Sequence, residues 1–239
     1  MKTVTTTGSL KSFRTADRHQ ESMLAPIERK ALAWLASHIP KNVSPDHLTI
    51  LGLLALGMAG ACYAAAAQRP AALLLVNLWL AVNWFGDSLD GTLARYRRQQ
   101  RPRYGFYVDH IVDSFGALFV LGGLAWSSLM SERIALALLI AFLLLSIDSY
   151  LAAYTRGEFR LSFWLFSPTE LRILLALGNV VAFWKPTILF LGYQQKLFDA
   201  GGAIGLVCMG FALLANVVRN TVALYTEEKV PQNGALDEV

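Results

Sequence analysis

Charge is scarce in this sequence. Of its 239 residues only 16% are Asp, Glu, Lys or Arg, against 55% hydrophobic, and mean hydropathy is +0.43. That balance excludes one or two ordinary soluble domains and places the chain in a bilayer. Cysteine is nearly missing as well. Cys62 and Cys208 both fall within apolar stretches, so neither a disulfide framework nor a thiolate metal site is expected. The N-terminal residues lack the short apolar core and small-residue cleavage site of a secretory signal, so no processed leader is expected. No internal repeat or linker stands out, which implies one domain. The net charge of +4 does not indicate nucleic acid, because the basic residues are distributed by membrane side rather than gathered in one patch.

What is present is a set of about six apolar stretches, near 46–67, 71–94, 105–131, 133–154, 169–191 and 201–225. Each approaches the ~20 residues that a helix needs to cross the hydrocarbon core. The expected fold is therefore an all-α, multi-pass integral membrane protein of about six transmembrane helices. With the N-terminus inside, one side receives Lys2 to Lys41, Arg95 to Arg103, Arg156, Arg160, Arg172, Arg219 and Lys229, and the other only Arg69, Arg133, Lys185 and Lys196. This asymmetry predicts an N-in, C-in orientation. Residues 1–18 are Thr/Ser-rich without apolar period and read as a disordered tail, 41–228 as the membrane domain and 229–239 as a polar tail.

Between them, 19–40 reads as an amphipathic juxtamembrane helix. Met23, Ile27, Ala31, Trp34, Leu35 and Ile39 recur at helical spacing, with Glu28, Arg29 and Lys30 on the other side. Such a helix suits either the membrane surface or a place against its own protein. "NVSPDHLT" then opens the first span, with Ser44 as N-cap, Pro45 at the first helical position and Asp46 where the helix dipole favours negative charge. The Gly- and Ala-rich run "GLLALGMAGACYAAAA" allows close helix packing within or between chains.

The stretch "WFGDSLDGTLARYRRQQRPRYGFYVDHIVDSFG" places four aspartates at the ends of two spans. Asp87 and Asp90 are three apart and Asp109 and Asp113 four apart, so each pair projects from one helix face. Two helices joined by the basic loop 95–104 can bring those faces together. Crowded carboxylates in a low dielectric resist joint ionisation, and divalent cations relieve this. An all-oxygen set suits Mg²⁺, Mn²⁺ or Ca²⁺, and two metals suit chemistry on a phosphate. Pairing with nearby arginines as topological anchors explains a lone Asp but not four in register. Gly91 and Ala94 share the Asp87/Asp90 side and leave room for a ligand, and Arg95, one turn beyond Gly91, is placed to meet a phosphate.

As they stand, "DSLDGTLAR" (87–95), nine residues, then "GFYVDHIVD" (105–113) resemble the signature of the CDP-alcohol phosphotransferases, also called CDP-alcohol phosphatidyltransferases. The resemblance implies a six-helix membrane fold, usually a homodimer, that transfers a phosphoalcohol from a CDP-linked donor onto an acceptor hydroxyl and releases CMP. It implies that Asp87, Asp90, Asp109 and Asp113 bind two divalent metals, Mg²⁺ or Mn²⁺, on the CDP diphosphate. Gly91, Ala94, Arg95 and Gly105 would accommodate the nucleotide, and Asp113 is the implied base. His110, whose intrinsic pKa is nearer neutrality, is a second candidate base.

A looser similarity over roughly 40–180, carried by Asp109-His110 and Thr169-Glu170, points to the choline/ethanolamine phosphotransferase branch. Compact six-span members more often use CDP-diacylglycerol and a small polar alcohol. Both donors remain open, as do the partners of the site: Arg156 and Arg160 could receive an anionic acceptor, Glu158 or Glu170 a cationic one. Trp84, Phe106, Tyr107, Tyr150, Tyr154, Phe163 and Trp164 could form a cation pocket, although interfacial belts and packing explain most aromatics. Asp148 within the fourth span suits an arginine pair, the pocket or a structural hydrogen bond, while Asn216, Arg219 and Asn220 read as packing or surface groups. The rival class is a divalent-cation transporter or channel, since intramembrane carboxylates also mark ion pathways.

Overall fold

The computed structural model describes residues 25–156, 168–190 and 192–228. The expected tails at 1–18 and 229–239, Met23, the Ile27 side chain, Glu158, Arg160, Phe163 and Trp164 lie outside the described residues or side chains. The elements in chain order are α1 (Ala25–His38), α2 (Pro45–Ala66), α3 (Ala72–Tyr96), α4 (Pro102–Trp126), α5 (Glu132–Arg156), α6 (Pro168–Trp184), the strands β1 (Thr187–Phe190) and β2 (Tyr193–Lys196), and α7 (Leu197–Glu227). Five of them, α2, α3, α4, α5 and α7, are long and apolar enough to cross a membrane. The chain is an all-helical integral membrane protein.

The sixth expected span, 169–191, is cut short. α6 has 17 residues and rises only about 25 Å. Pro186 stops it, because a proline pushes the preceding residue out of the α region. The rest of the stretch instead pairs as an antiparallel hairpin, from Thr187 opposite Lys196 to Phe190 opposite Tyr193. Gly192 supplies the left-handed backbone of its turn at φ 84°. The basic loop is also shorter than the 95–104 expected: α3 continues to Tyr96, and α4 begins at Pro102, a residue suited to the first helical turn.

α2 begins as its sequence indicates. The Ser44 hydroxyl accepts from the His47 amide at 3.3 Å, and the Ser44 amide donates to His47 Nδ1 at 3.1 Å, closing a reciprocal cap at the N-terminus. This helix is the centre of the architecture. It packs on both α3 and α4, whereas those two make no extensive contact with each other; the joining loop does not zip the aspartate helices together, because α2 lies between them. Small residues permit the close approach. A Cβ at Gly86 of α3 would lie 2.6 Å from the Leu48 carbonyl oxygen, and one at Gly60 or Gly123 would run into the backbone of Phe119 or Gly60 respectively. Behind this crossing lies the main core, with Tyr63, Leu73, Val76 and Leu124 fully buried. Tyr63 donates to Asn179 Oδ1 of α6 at 2.9 Å. Cys62 and Cys208 are free.

α1 lies against its own protein. Leu32 and Ala36 are buried with Leu48, Leu89 and Leu93, and the inward face is one notch from that expected, because Trp34 is 62% exposed and Ala31 is exposed as well. Glu28, assigned by pattern to the outer side, faces inward. Its Oε1 accepts from Trp84 Nε1 at 2.8 Å, Thr169 Oγ1 at 2.9 Å and Ser88 Oγ at 3.5 Å, which compensates the carboxylate for partial burial.

Candidate active site

The two aspartate pairs lie two to three turns inside α3 and α4, on either side of the loop 97–101. All four are half-buried, at the border between the α2–α3–α4 packing and open space. On α3, Asn83, Gly86, Leu89 and Leu93 are buried, and Asp87 and Asp90 sit beside that inner stripe. Helical periodicity thus fixes one edge of each carboxylate against packed protein and leaves the other accessible.

Each α3 carboxylate has a partner from another helix. Thr49 Oγ1 of α2 donates to Asp90 Oδ2 at 2.6 Å, and the Gly91 amide donates to Asp90 Oδ1 at 2.5 Å. Arg172 of α6 donates through Nη2 to Asp87 Oδ2 at 2.5 Å and through Nε to Asn83 Oδ1 at 2.8 Å, while Asn83 Nδ2 donates to the Gly52 carbonyl at 3.0 Å. Asp87 and Asp109 both lie within electrostatic reach of Asp90, so carboxylates of the two helices border one region. Asp109 and Asp113 in turn both act on the Tyr150 hydroxyl.

His110 is placed differently from its neighbours. Its ring is buried, 4.9 Å from the ring of Tyr150 in a stacked arrangement and 4.3 Å from Phe106 edge-on, with Nδ1 4.0 Å from Asp109 Oδ2. Gly91 and Gly105 border open space: a Cβ at Gly91 would meet only Arg95 Nη1, at 3.5 Å, and one at Gly105 would meet nothing within 4 Å. Ala94 is half-buried one turn from Asp90 and Arg95 is exposed, with its Nη2 donating to Thr92 Oγ1 at 3.1 Å.

The expected aromatics do not gather into one cage among the described residues. Trp84 is committed to Glu28, Phe106 and Tyr150 pack on His110, and Tyr107 and Tyr154 are outward at 69% and 90% exposure. Asp148 accepts from Asn220 Nδ2 at 3.5 Å, and Asn220 Oδ1 accepts from Arg156 at 3.0 Å. A small polar cleft between α5 and α7 is lined by these residues with Asn216 and Arg219. Near the loop, Arg101 pairs with Asp46 at 2.5 Å, and that carboxylate raises the guanidinium pKa further. Arg97 donates to the carbonyls of Ile39, Pro40 and Val43, tying the loop to the α1–α2 junction.

Arg172, Asn83 and Thr49 were not singled out by the sequence reading. The signal for the first two was a lone Arg or Asn within an otherwise apolar helix, a costly position that calls for a partner.

The donor set suits a hard divalent cation, being composed of carboxylate oxygens with a hydroxyl and an amide nearby. Among the described residues, no group of three or more His, Cys, Asp or Glu side chains closes into a ready-made metal cage; Asp87 and Asp90 are instead engaged by Arg172 and Thr49. Asp87, Asp90 and Asp109 are like charges within reach of one another, a grouping to which added positive charge is suited.

Comparison with known proteins gives the family and the fold. Cholinephosphotransferase 1 of Gallus gallus is 26% identical over 201 residues, covering 78% of this chain and 58% of its own length. Archaetidylinositol phosphate synthase of Pyrococcus horikoshii is 31% identical over 133 residues, covering 55% of this chain and 61% of its own length. The chain thus spans about three fifths of the length of these curated relatives. The structure of Mycobacterium tuberculosis phosphatidylinositol phosphate synthase in apo form superposes with a TM-score of 0.50 at 21% identity, over 90% of this chain and 100% of that one, a likeness of fold. The CDP-alcohol phosphatidyltransferase profile matches residues 42–218, well over half of the sequence and all of the aspartate helices. The chain belongs to the CDP-alcohol phosphatidyltransferase family.

Proposed function

We propose that this protein is a phospholipid-synthesising transferase that moves a phosphoalcohol group from a CDP-linked alcohol to an acceptor hydroxyl and releases CMP. The observation that carries this reading is the placement of the half-buried Asp87, Asp90, Asp109 and Asp113 on α3 and α4 with open space at Gly91 and Gly105 beside them. A phosphate reacting centre needs charge neutralisation and clearance more than it needs a covalent protein group.

In this reading Asp87, Asp90, Asp109 and Asp113 hold two Mg²⁺ or Mn²⁺ ions, which, when bound, neutralise the donor diphosphate and ease the departure of CMP. The protein's own groups do the rest. Gly91, Ala94 and Gly105 let the nucleotide approach the helix backbones, and Arg95 and Arg172 supply positive charge at the same mouth. The acceptor oxygen forms a bond to the phosphorus bearing the transferred alcohol while the bond from that phosphorus to the CMP oxygen breaks; the hydroxyl proton passes to Asp113. Burial of the His110 ring between Phe106 and Tyr150 favours Asp113 over His110 for that proton and gives His110 a packing role.

Arg172 beside Asp87 suits an anionic or polar acceptor, so CDP-diacylglycerol plus a small polar alcohol is the pair proposed. The match to a cholinephosphotransferase across 78% of this chain supports a second pair, CDP-choline or CDP-ethanolamine with diacylglycerol. The positive charge near loop 97–101 favours a cytoplasm-facing site with both termini inside. The apolar flank of α7, where Val207, Phe211 and Leu214 are exposed, would meet lipid or a second copy in a homodimer.

The test is CMP release by purified protein in lipid nanodiscs, with Mg²⁺ or Mn²⁺, over a matrix of the three CDP-linked donors against polar alcohols and diacylglycerol. One productive pair identifies donor and acceptor. Absence of metal-dependent CMP release from every pair, with Mn²⁺ flux into proteoliposomes, would instead favour the cation-transport reading.

A further inference from the structure

We infer that Glu28 on the surface helix α1 is a positioning residue that sets the site from outside it, by fixing Arg172 against Asp87. One carboxylate oxygen of Glu28 collects donors from two different helices: Trp84 and Ser88 of α3, and Thr169 of α6. Ser88 is the residue next to Asp87. Thr169 lies three residues, one helical turn, before Arg172. The Glu28 oxygen therefore fastens the first turn of α6 to the α3 turn that carries Asp87, and from that register Arg172 reaches both Asp87 and Asn83.

α3 and α6 also pack together further along, where Asn77 Nδ2 donates to the Ala176 carbonyl at 3.2 Å and Asn179 Nδ2 donates to Asn77 Oδ1 at 2.7 Å. Those bonds fix the deep half of the pair and leave the mouth to Glu28 and to Arg172 itself. α1 itself is anchored by Leu32 and Ala36, so the carboxylate is held by a packed helix rather than by a loose end. Hydrogen bonds to an ionised acceptor are stronger than neutral ones, which suits a clasp at the edge of the bilayer where water competes.

The consequence for catalysis rests on the proposed transferase reading, whereas the consequence for geometry does not. The experiment accordingly has two arms, both on the full chain in nanodiscs. In the first, amide hydrogen exchange is followed at residues 172–174, the first amides of α6 that an intrahelical bond protects. Glu28→Leu should speed exchange there about tenfold, as expected for a lost local clasp, while leaving the Asn77–Asn179 region unchanged; Glu28→Gln, which keeps an acceptor oxygen, should restore most of the protection. In the second, kcat and donor KM are measured in the same variants. Glu28→Leu should lower kcat about tenfold with donor KM nearly constant, and should cost nothing further when added to Arg172→Ala, because residues acting through one contact are not additive.

Thr169→Val breaks the clasp without touching α1 and should reproduce the exchange change if Glu28→Leu does not fold. Unchanged exchange at 172–174 in both variants would overturn the inference. So would a Glu28→Leu loss that adds in full to that of Arg172→Ala. If the wild-type protein released no CMP, the transferase reading would fall while the exchange arm still decided whether Glu28 positions Arg172.

Discussion

Two groups of glycines in this molecule contrast, one at the helix crossing and one at the aspartate mouth. At the α2–α3–α4 crossing, Gly60, Gly86 and Gly123 are pressed against backbone, and an added Cβ would strike carbonyl groups of a neighbouring helix. At the aspartate mouth, Gly91 and Gly105 are on helices just as regular, yet a Cβ there would meet one arginine tip or nothing. In the first group the missing side chain is filled by protein. In the second it is filled by none of the described protein, and glycine costs a helix about 1 kcal/mol relative to alanine. Gly122, Gly201 and Gly210 face open space as well, so it is the carboxylates beside Gly91 and Gly105 that suit these two to the proposed nucleotide.

Substitutions at the two groups should part sharply. Gly123→Ala should have the largest effect, because the clash is with the Gly60 backbone and a backbone cannot rotate aside; a loss of about 3 kcal/mol or more is expected, seen as failure to recover monodisperse protein or a large fall in melting temperature. Gly105→Ala and Gly91→Ala should leave melting temperature unchanged or slightly raised, yet raise donor KM about tenfold, the amount that one lost close approach of ~1.4 kcal/mol produces. Equal destabilisation of the two groups would erase the distinction drawn between them. The smallest effect expected is at Tyr63, whose hydroxyl bonds Asn179 deep in the core: Tyr63→Phe should cost about 1 kcal/mol with donor KM unchanged, since that half of the bundle serves stability alone.

How much of this was legible in the sequence depended on the range of the interaction. The Asp87/Asp90 and Asp109/Asp113 pairs lie within one helical turn, so spacing alone placed each pair on a face. Ser44, Pro45 and Asp46 were equally local and form the cap expected of them. Pro186 was a visible stop signal inside an apolar run, and hydropathy alone carried the sixth span past it. The inward turn of Glu28 was not legible, because a charged residue reads as outer until its three donors are known. Two of those, Trp84 and Thr169, stand 56 and 141 residues away. For the same reason Thr49 and Arg172, which meet Asp90 and Asp87 across separations of 41 and 85 residues, read as an ordinary helix residue and a topological flank. The wedge of α2 between α3 and α4 depended on glycine-to-backbone contacts, whose partners periodicity does not name.

We propose that the aspartates of α3 and α4 form a reaction centre rather than a set of anchors. This is tested most directly by metal-dependent CMP release in wild type and in Asp113→Asn, with melting temperature measured on the same samples. Release is expected in wild type, with a fall of about 10³-fold in the variant as for loss of a general base and an unchanged melting temperature. Undiminished release from Asp113→Asn, or a loss that merely follows unfolding, would contradict it.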